Sequence, residues 1–200
     1  MSMRYTAEQT EQKRRALLAA SSRVVKSKGF SASGVDALAK AADVTSGAFY
    51  CHFASKTDLL KAMLEEELGQ IRKRWQSGPA DDAAWLQQLI ALYLSPAHLL
   101  HPETGCALPP LTVEIGRAGT DIRQLFETHC QELRQILAKR LGNEELAWGF
   151  IGQLIGTLQL ARAMSDEASQ LAILHSGKSL LFQIFSARMQ SKPASDPPRK

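Results

Sequence analysis

Residues 35–60, VDALAKAADVTSGAFYCHFASKTDLL, carry the tightest punctuation in the chain. Two short apolar-periodic segments meet at Ala42-Asp43-Val44, and the second opens behind Thr45, a residue type whose hydroxyl caps helices. Phe49 and Phe53 stand four residues apart, on one helical face, which aims both inward. Ser46, Ala48, Tyr50, Cys51 and His52 then fall outward. An isolated helix of this length is not stable in water, so packing against neighbours has to hold it. Two helices across a tight turn, the second short and well capped, read as a helix-turn-helix, whose second helix only has to lay its N-terminal residues in a DNA major groove. Asp43 occupies the turn, where a left-handed backbone is wanted, and Asp tolerates that conformation better than most residues.

The rest of the chain is helical by periodicity, with no alternating β-branched run and no internal repeat. A first helix is expected from Glu8 to Lys28, with Leu17, Ala20 and Val24 on its inner face and Gly29 as its stop. Ser33-Gly34-Val35-Asp36 reads as a capping box opening a helix to Ala41, with Val35, Leu38, Ala39 and Ala42 inward. A third helix runs from Thr45 to about Phe53. Ser55-Lys56-Thr57-Asp58 is a second box, starting a long helix with Leu59, Leu60, Met63, Leu64, Leu68, Ile71 and Trp75 apolar. Beyond the break at 77–82, helices are expected over 83–94, 121–141, 144–164 and 168–190, with the two prolines of CALPPL as an interruption. The predicted fold class is all-α: a three-helix reading domain over 1–56, a second helical domain over 57–190, and a charged, proline-rich tail over 191–200 that is expected to be disordered.

Charge separates the same regions. Residues 1–56 hold nine Lys/Arg against four Asp/Glu, whereas 57–191 hold twelve against fifteen, although the whole chain is only +4. A basic first quarter on a mildly acidic remainder points to a polyanion met by the first part alone; a merely solvated basic face is the other reading. No run reaches the roughly 18 apolar residues of a membrane span, and the N-terminus lacks the apolar core of a signal peptide. Three cysteines (Cys51, Cys106, Cys130) without paired spacing argue against a disulfide framework, so a reduced, cytoplasmic protein is expected. Glycine-rich phosphate loops, nucleophile elbows and H-E-x-x-H are all missing from the sequence, which argues against an enzyme; no cofactor and no metal are expected.

Gly29, Phe30, Val35, Leu38, Ala39, Ala42, Val44, Gly47, Phe49, Tyr50, His52, Phe53, Ser55, Lys56 and Leu59 follow one another in an order that resembles the N-terminal domain of the TetR/AcrR family of bacterial regulators. Two positions depart from that pattern: Asp43 stands where glycine is usual, and Ser46 where many relatives carry a basic residue. The resemblance implies that Thr45, Ser46, Gly47, Ala48 and Cys51 lie along the groove, and that Tyr50, His52 and Lys56 contact phosphates with Ser33. It also implies a C-terminal domain that dimerises and binds a small molecule, hence a repressor released from a palindromic operator by an inducer.

The second half offers residues for those roles. Gly149, Gly152 and Gly156 leave one helical face without side chains, at about 1 kcal/mol per glycine, which suggests close approach of a two-fold mate, joined by the last helix through Leu181 and Phe185; intrachain packing or a pocket wall is the alternative. Trp85, Leu89, Tyr93, Leu108, Leu111, Ile115, Phe126 and Trp148 are candidates for a ligand pocket, though any core holds such residues. Cys106, at a helix start near His98 and His101, is a candidate thiol sensor of oxidants or electrophiles, with a buried small apolar role as the alternative. From a different class, an all-helical small-molecule-binding enzyme with a basic first helix is the remaining rival.

Overall fold

A computed structural model describes residues 6–191, which form ten α-helices and one 3-10 turn, with no strand among the described residues. Helix α1 (Ala7–Lys28) opens with a capping box: the Thr6 hydroxyl accepts from the Gln9 amide, and the Gln9 side chain accepts from the Thr6 amide. Its buried face is Leu17, Leu18, Ser21, Ser22, Val25 and Lys26. The expected face of Leu17, Ala20 and Val24 is therefore turned, because polar residues occupy buried positions and a partner satisfies two of them. Glu67 accepts from both Ser22 and Lys26.

Helix α2 (Val35–Ala41) begins at Gly34, with no side-chain cap. The expected Ser33 box is absent; the Ser33 hydroxyl donates instead to the Gly29 carbonyl at 2.7 Å, and the residue is 2% exposed. Helix α3 (Ser46–His52) is capped by Thr45, whose hydroxyl accepts from the Ala48 amide at 3.2 Å. Helix α4 (Lys56–Gln76) starts at the predicted box, with the Ser55 hydroxyl accepting from the Asp58 amide and donating to its carboxylate. All seven apolar positions expected along α4 are buried.

Then come α5 (Asp82–Tyr93), α6 (Pro96–Leu100), a 3-10 turn at Pro102–Thr104, α7 (Leu108–Ile115), α8 (Thr120–Leu141), α9 (Glu144–Arg162) and α10 (Glu167–Ser191). The two prolines do not interrupt: they sit in the first turn of α7, where a helix needs no N–H donor. Ser191 ends α10, and the rest of the tail expected over 191–200 lies outside the described residues. No described helix is long and apolar enough to cross a membrane.

The helices gather into two compact units. One holds the chain through Gln76 together with Leu100–Leu133; the other holds Ser77–Leu99 and the chain from Arg134 onward. In the first, polar pairs tie the elements together, and the one at Lys26 is buried. The Lys26 ammonium, its side chain 7% exposed, lies 3.1 Å from Glu67 of α4 and donates to the Gly105 carbonyl at 3.2 Å. Glu114 of α7 accepts from the Ser31 amide at 2.8 Å and from its hydroxyl at 2.5 Å. Lys61 pairs with Asp121 at 2.7 Å, and Arg72 with Glu132 at 2.5 Å.

In the second unit α9 packs on α10, where a Cβ on Gly177 would lie 2.4 Å from the Thr157 side chain. Trp85 is buried against Gly78 and under the Arg140 guanidinium, 5.1 Å from its ring centre. Arg140 also donates to the carbonyls of Pro79 and Ala80 and to Asp82.

Removing one member of a buried ion pair leaves the other charge uncompensated, at a cost of about 3–5 kcal/mol. Glu67→Ala should lower unfolding stability by about that amount in urea titrations, and adding Lys26→Met should recover much of the loss. A Glu67→Ala protein as stable as the parent would show that Lys26 finds water instead.

Candidate nucleic-acid interface

The turn between α2 and α3 closes on backbone bonds. Asp43 has φ +56°, the positive value that the described residues otherwise reserve for glycine. That conformation lets the Val44 amide donate to the Ala39 carbonyl at 3.0 Å and the Asp43 amide to the Lys40 carbonyl at 3.1 Å. The pair of bonds is a Schellman closure, which usually uses glycine at this residue. The left-handed turn expected from Asp43 is present, and α3 leaves it in a set direction.

Two aromatic rings fasten α3. Phe49 is fully buried and Phe53 is 4% exposed, their centroids 5.9 Å apart, with the Arg14 guanidinium 5.4 Å above the Phe53 ring. Tyr50 points the other way, 54% exposed, with its ring edge-on to Phe49. Thr45, Gly47 and Cys51 are exposed as well, while Ser46, Ala48 and His52 are half-buried. The Cys51 thiol donates to the Gly47 carbonyl at 3.5 Å.

Several charged groups are already engaged. The Lys56 ammonium donates to the Phe30 carbonyl at 2.6 Å and lies 4.2 Å over the Phe30 ring, so it braces the α1–α2 loop and does not stand free at the start of α4. Ser33 is buried and turned to Gly29, which removes its side chain from the expected phosphate contact. Glu11 pairs with Arg14 and Arg15, whose hydrogen bonds lower its carboxyl below the usual carboxylate range. Ser46 donates to the carboxylate of Asp36, at the exposed start of α2. Sequence periodicity gave no hint of this last bond, since it crosses the turn between two helices.

Residues 17–63 match the family model described as "Bacterial regulatory proteins, tetR family". This part of the chain is similar to the N-terminal domain of that family.

The chain is also similar in fold to solved structures. They include a TetR regulator from Legionella pneumophila (17% identity over 92% of this chain and 98% of that one, TM-score 0.72). E. coli NemR in its reduced form matches at 21% over 86% and 96%, TM-score 0.70. Bacillus subtilis FadR in complex with stearoyl-CoA matches at 21% over 84% and 96%, TM-score 0.65. A sequence search of curated proteins finds no match. The fold is thus an N-terminal helix-turn-helix followed by a C-terminal helical domain.

The remaining candidate residues fall into both compact units. Leu108, Leu111 and Ile115 are buried, and Phe126 and Cys106 half-buried, in the first; Trp85 and Tyr93 are buried and Leu89 half-buried in the second. Trp148, expected in a pocket wall, is 42% exposed on α9 beside Gly149. A Cβ at Gly149, Gly152 or Gly156 would meet nothing within 4 Å, so no helix of the same chain fills that face; the close intrachain approach is at Gly177. Leu181 and Phe185 are 1% and 6% exposed, buried in their own unit, which corrects their placement at a partner surface. Among the described side chains of α10, the large exposed apolar ones are Leu171, Leu180 and Ile184.

His98 and His101, near Cys106 in sequence, each bond a neighbouring group. The His98 ring bonds the Tyr93 carbonyl at 2.7 Å, and His101 pairs with Glu103 at 3.2 Å. Among the described residues, no three of His, Cys, Asp and Glu are placed to hold a metal ion. Burial, and then neighbouring Cys106, pushes the Cys130 thiol up to about 12, so at neutral pH it stays a poor nucleophile.

A β-branched residue in the left-handed conformation costs about 1–2 kcal/mol. Asp43→Val should destabilise the chain by that amount in thermal or urea melts, whereas Asp43→Asn should leave it nearly unchanged. Equal losses in the two variants would locate the cost in the carboxylate and not in the backbone.

Proposed function

We propose that this chain is a repressor that binds a palindromic operator as a homodimer in the cytoplasm and leaves it on binding a small-molecule inducer. The observation that carries the DNA reading is α3 itself: a short helix pinned from behind by Phe49 and Phe53, with Thr45, Gly47, Tyr50 and Cys51 open on its other side. Thr45, Ser46, Gly47, Ala48 and Cys51 line the groove in this reading, and Tyr50 and His52 meet phosphates. Lys56 contributes through the charge it holds at the α1–α2 loop. The domain division proposed is 1–56 for reading and 57–190 for ligand binding and dimerisation.

Trp148, Gly149, Gly152, Gly156 and Leu160 follow one exposed stripe of α9. With Leu180 and Ile184 of α10, this stripe supports a four-helix dimer face between two copies. The FadR structure, solved with stearoyl-CoA, is a precedent of fold for a small-molecule ligand; the buried apolar residues Leu108, Leu111 and Ile115 of the first unit are the proposed sources of contacts. Such a ligand acts only through better binding to one head-to-head spacing than to another. The family match favours this reading over the helical enzyme.

Operator affinity should fall steeply as salt rises, because phosphate contacts release counterions. Gly152→Leu should give a folded monomer by light scattering and weaken operator binding at least tenfold. Salt-insensitive binding, or an undisturbed Gly152→Leu dimer, would overturn the corresponding half.

A second reading rests on the place of Cys106. It follows Gly105, whose carbonyl holds the Lys26 ammonium of α1, so a bulky adduct on the thiol reaches the reading head within one residue. In that reading the protein answers electrophiles through Cys106. Because Cys51 is exposed on α3, the test starts from Cys51→Ala: N-ethylmaleimide should release DNA from that protein and not from Cys51→Ala/Cys106→Ser. Equal release from both would leave only the non-covalent pocket.

A further inference from the structure

The Asp36–Ser46 bond is added to a turn that backbone bonds at Asp43 and Val44 and the buried Phe49 already fasten. Both residues stand at helix starts on the side of α3 away from the core, Asp36 exposed and Ser46 half-exposed. A serine hydroxyl has one proton to give and two lone pairs to receive with, and an ionised carboxylate only receives. Ser46 donates its single proton to Asp36. What the two present outward is therefore hydrogen-bond acceptors alone.

We propose that Asp36 and Ser46 act as one acceptor-only reading pair, which selects an exocyclic amino group in the major groove at one position of each operator half-site. The proposal rests on the reading of α3 as the groove-entering helix. In that groove the amino donors are adenine N6 and cytosine N4, whereas guanine O6 and N7 and thymine O4 only accept. An acceptor pair meets the first two and leaves its lone pairs facing the lone pairs of the others. The selected base on the strand facing the start of α3 is thus A or C.

The Asp36 charge adds a second signature. A carboxylate beside DNA repels phosphates whatever the sequence, so Asp36 raises discrimination while lowering affinity for random duplex. Ser46 supplies no compensating charge of its own. Asp36 acts partly through Ser46, which it orients, and partly as an acceptor in its own right. A role confined to stability would affect all duplexes alike.

The test is selection of bound duplexes from a randomised library by the full-length protein and by Asp36→Asn, Asp36→Ala and Ser46→Ala, followed by titration of the enriched duplex, its single-base variants and a random duplex. The parent should enrich A or C at one position per half-site. Asp36→Asn keeps an acceptor for Ser46 and turns an amide N–H outward, so its preference at that position should move toward G or T, with the affinity ratio changing on the order of tenfold. Asp36→Ala and Ser46→Ala should lose selectivity at that position and keep it elsewhere. Both Asp36 variants should bind random duplex at least as tightly as the parent. The same base preference in Asp36→Asn as in the parent overturns the proposal, as does a loss of affinity for all duplexes alike. A parent that enriches no motif overturns the operator reading itself, and this inference with it.

Discussion

The Val44 amide reaches the Ala39 carbonyl only because Asp43 takes a left-handed conformation, and that bond sets the direction in which α3 leaves α2. Everything the reading head offers follows from that direction. With it, Phe49 enters the core, Phe53 meets Arg14, and Tyr50 turns outward. A seven-residue helix has little stability of its own, so the closure before it and the aromatics behind it determine its pose. Glycine is the usual residue for such a closure. Asp serves because its short polar side chain is among the few that accept the left-handed region.

The unit that contains the head is also held by buried charge. Lys26, Glu67, Ser22 and the Gly105 carbonyl make one satisfied cluster across α1, α4 and the segment before α7. At the other end of α7, nearer the surface, Glu114 takes the Ser31 amide and hydroxyl. Buried polar groups of this kind hold one geometry well, because any shift leaves a charge or an N–H without a partner. The segment around Cys106 and α7 thereby shares bonds directly with α1 and with the loop leading to α2, beside the covalent route through α4. The helix-turn-helix proper and residues 100–133 form a single compact unit for this reason.

In the other unit the pattern of glycines separates two uses of the same residue. Gly177 has Thr157 against it and lets α9 and α10 approach. Gly149, Gly152 and Gly156 have open space before them. Glycine inside a helix is unfavourable by about 1 kcal/mol relative to alanine. Among the described residues nothing packs on this stripe of three, which exposed Trp148 and Leu160 flank.

Short-range signals in the sequence determined much of this protein: the all-α class, the Thr45 cap, the box at Ser55, the apolar seam of α4, the outward Tyr50 and the left-handed Asp43. Each depends on neighbours within a few residues, where helical spacing and capping chemistry are decisive. Tertiary structure alone decided the rest. It turned the face of α1, because Ser22 and Lys26 are buried against a glutamate more than forty residues away. It placed Ser33 inward, drew Lys56 onto Phe30 and put Leu181 and Phe185 inside their own unit. It also joined Ser46 to Asp36 across the turn. Long-range polar partners carry no periodicity, and a helix's exposed and buried sides are distinguished only once its neighbours are in place.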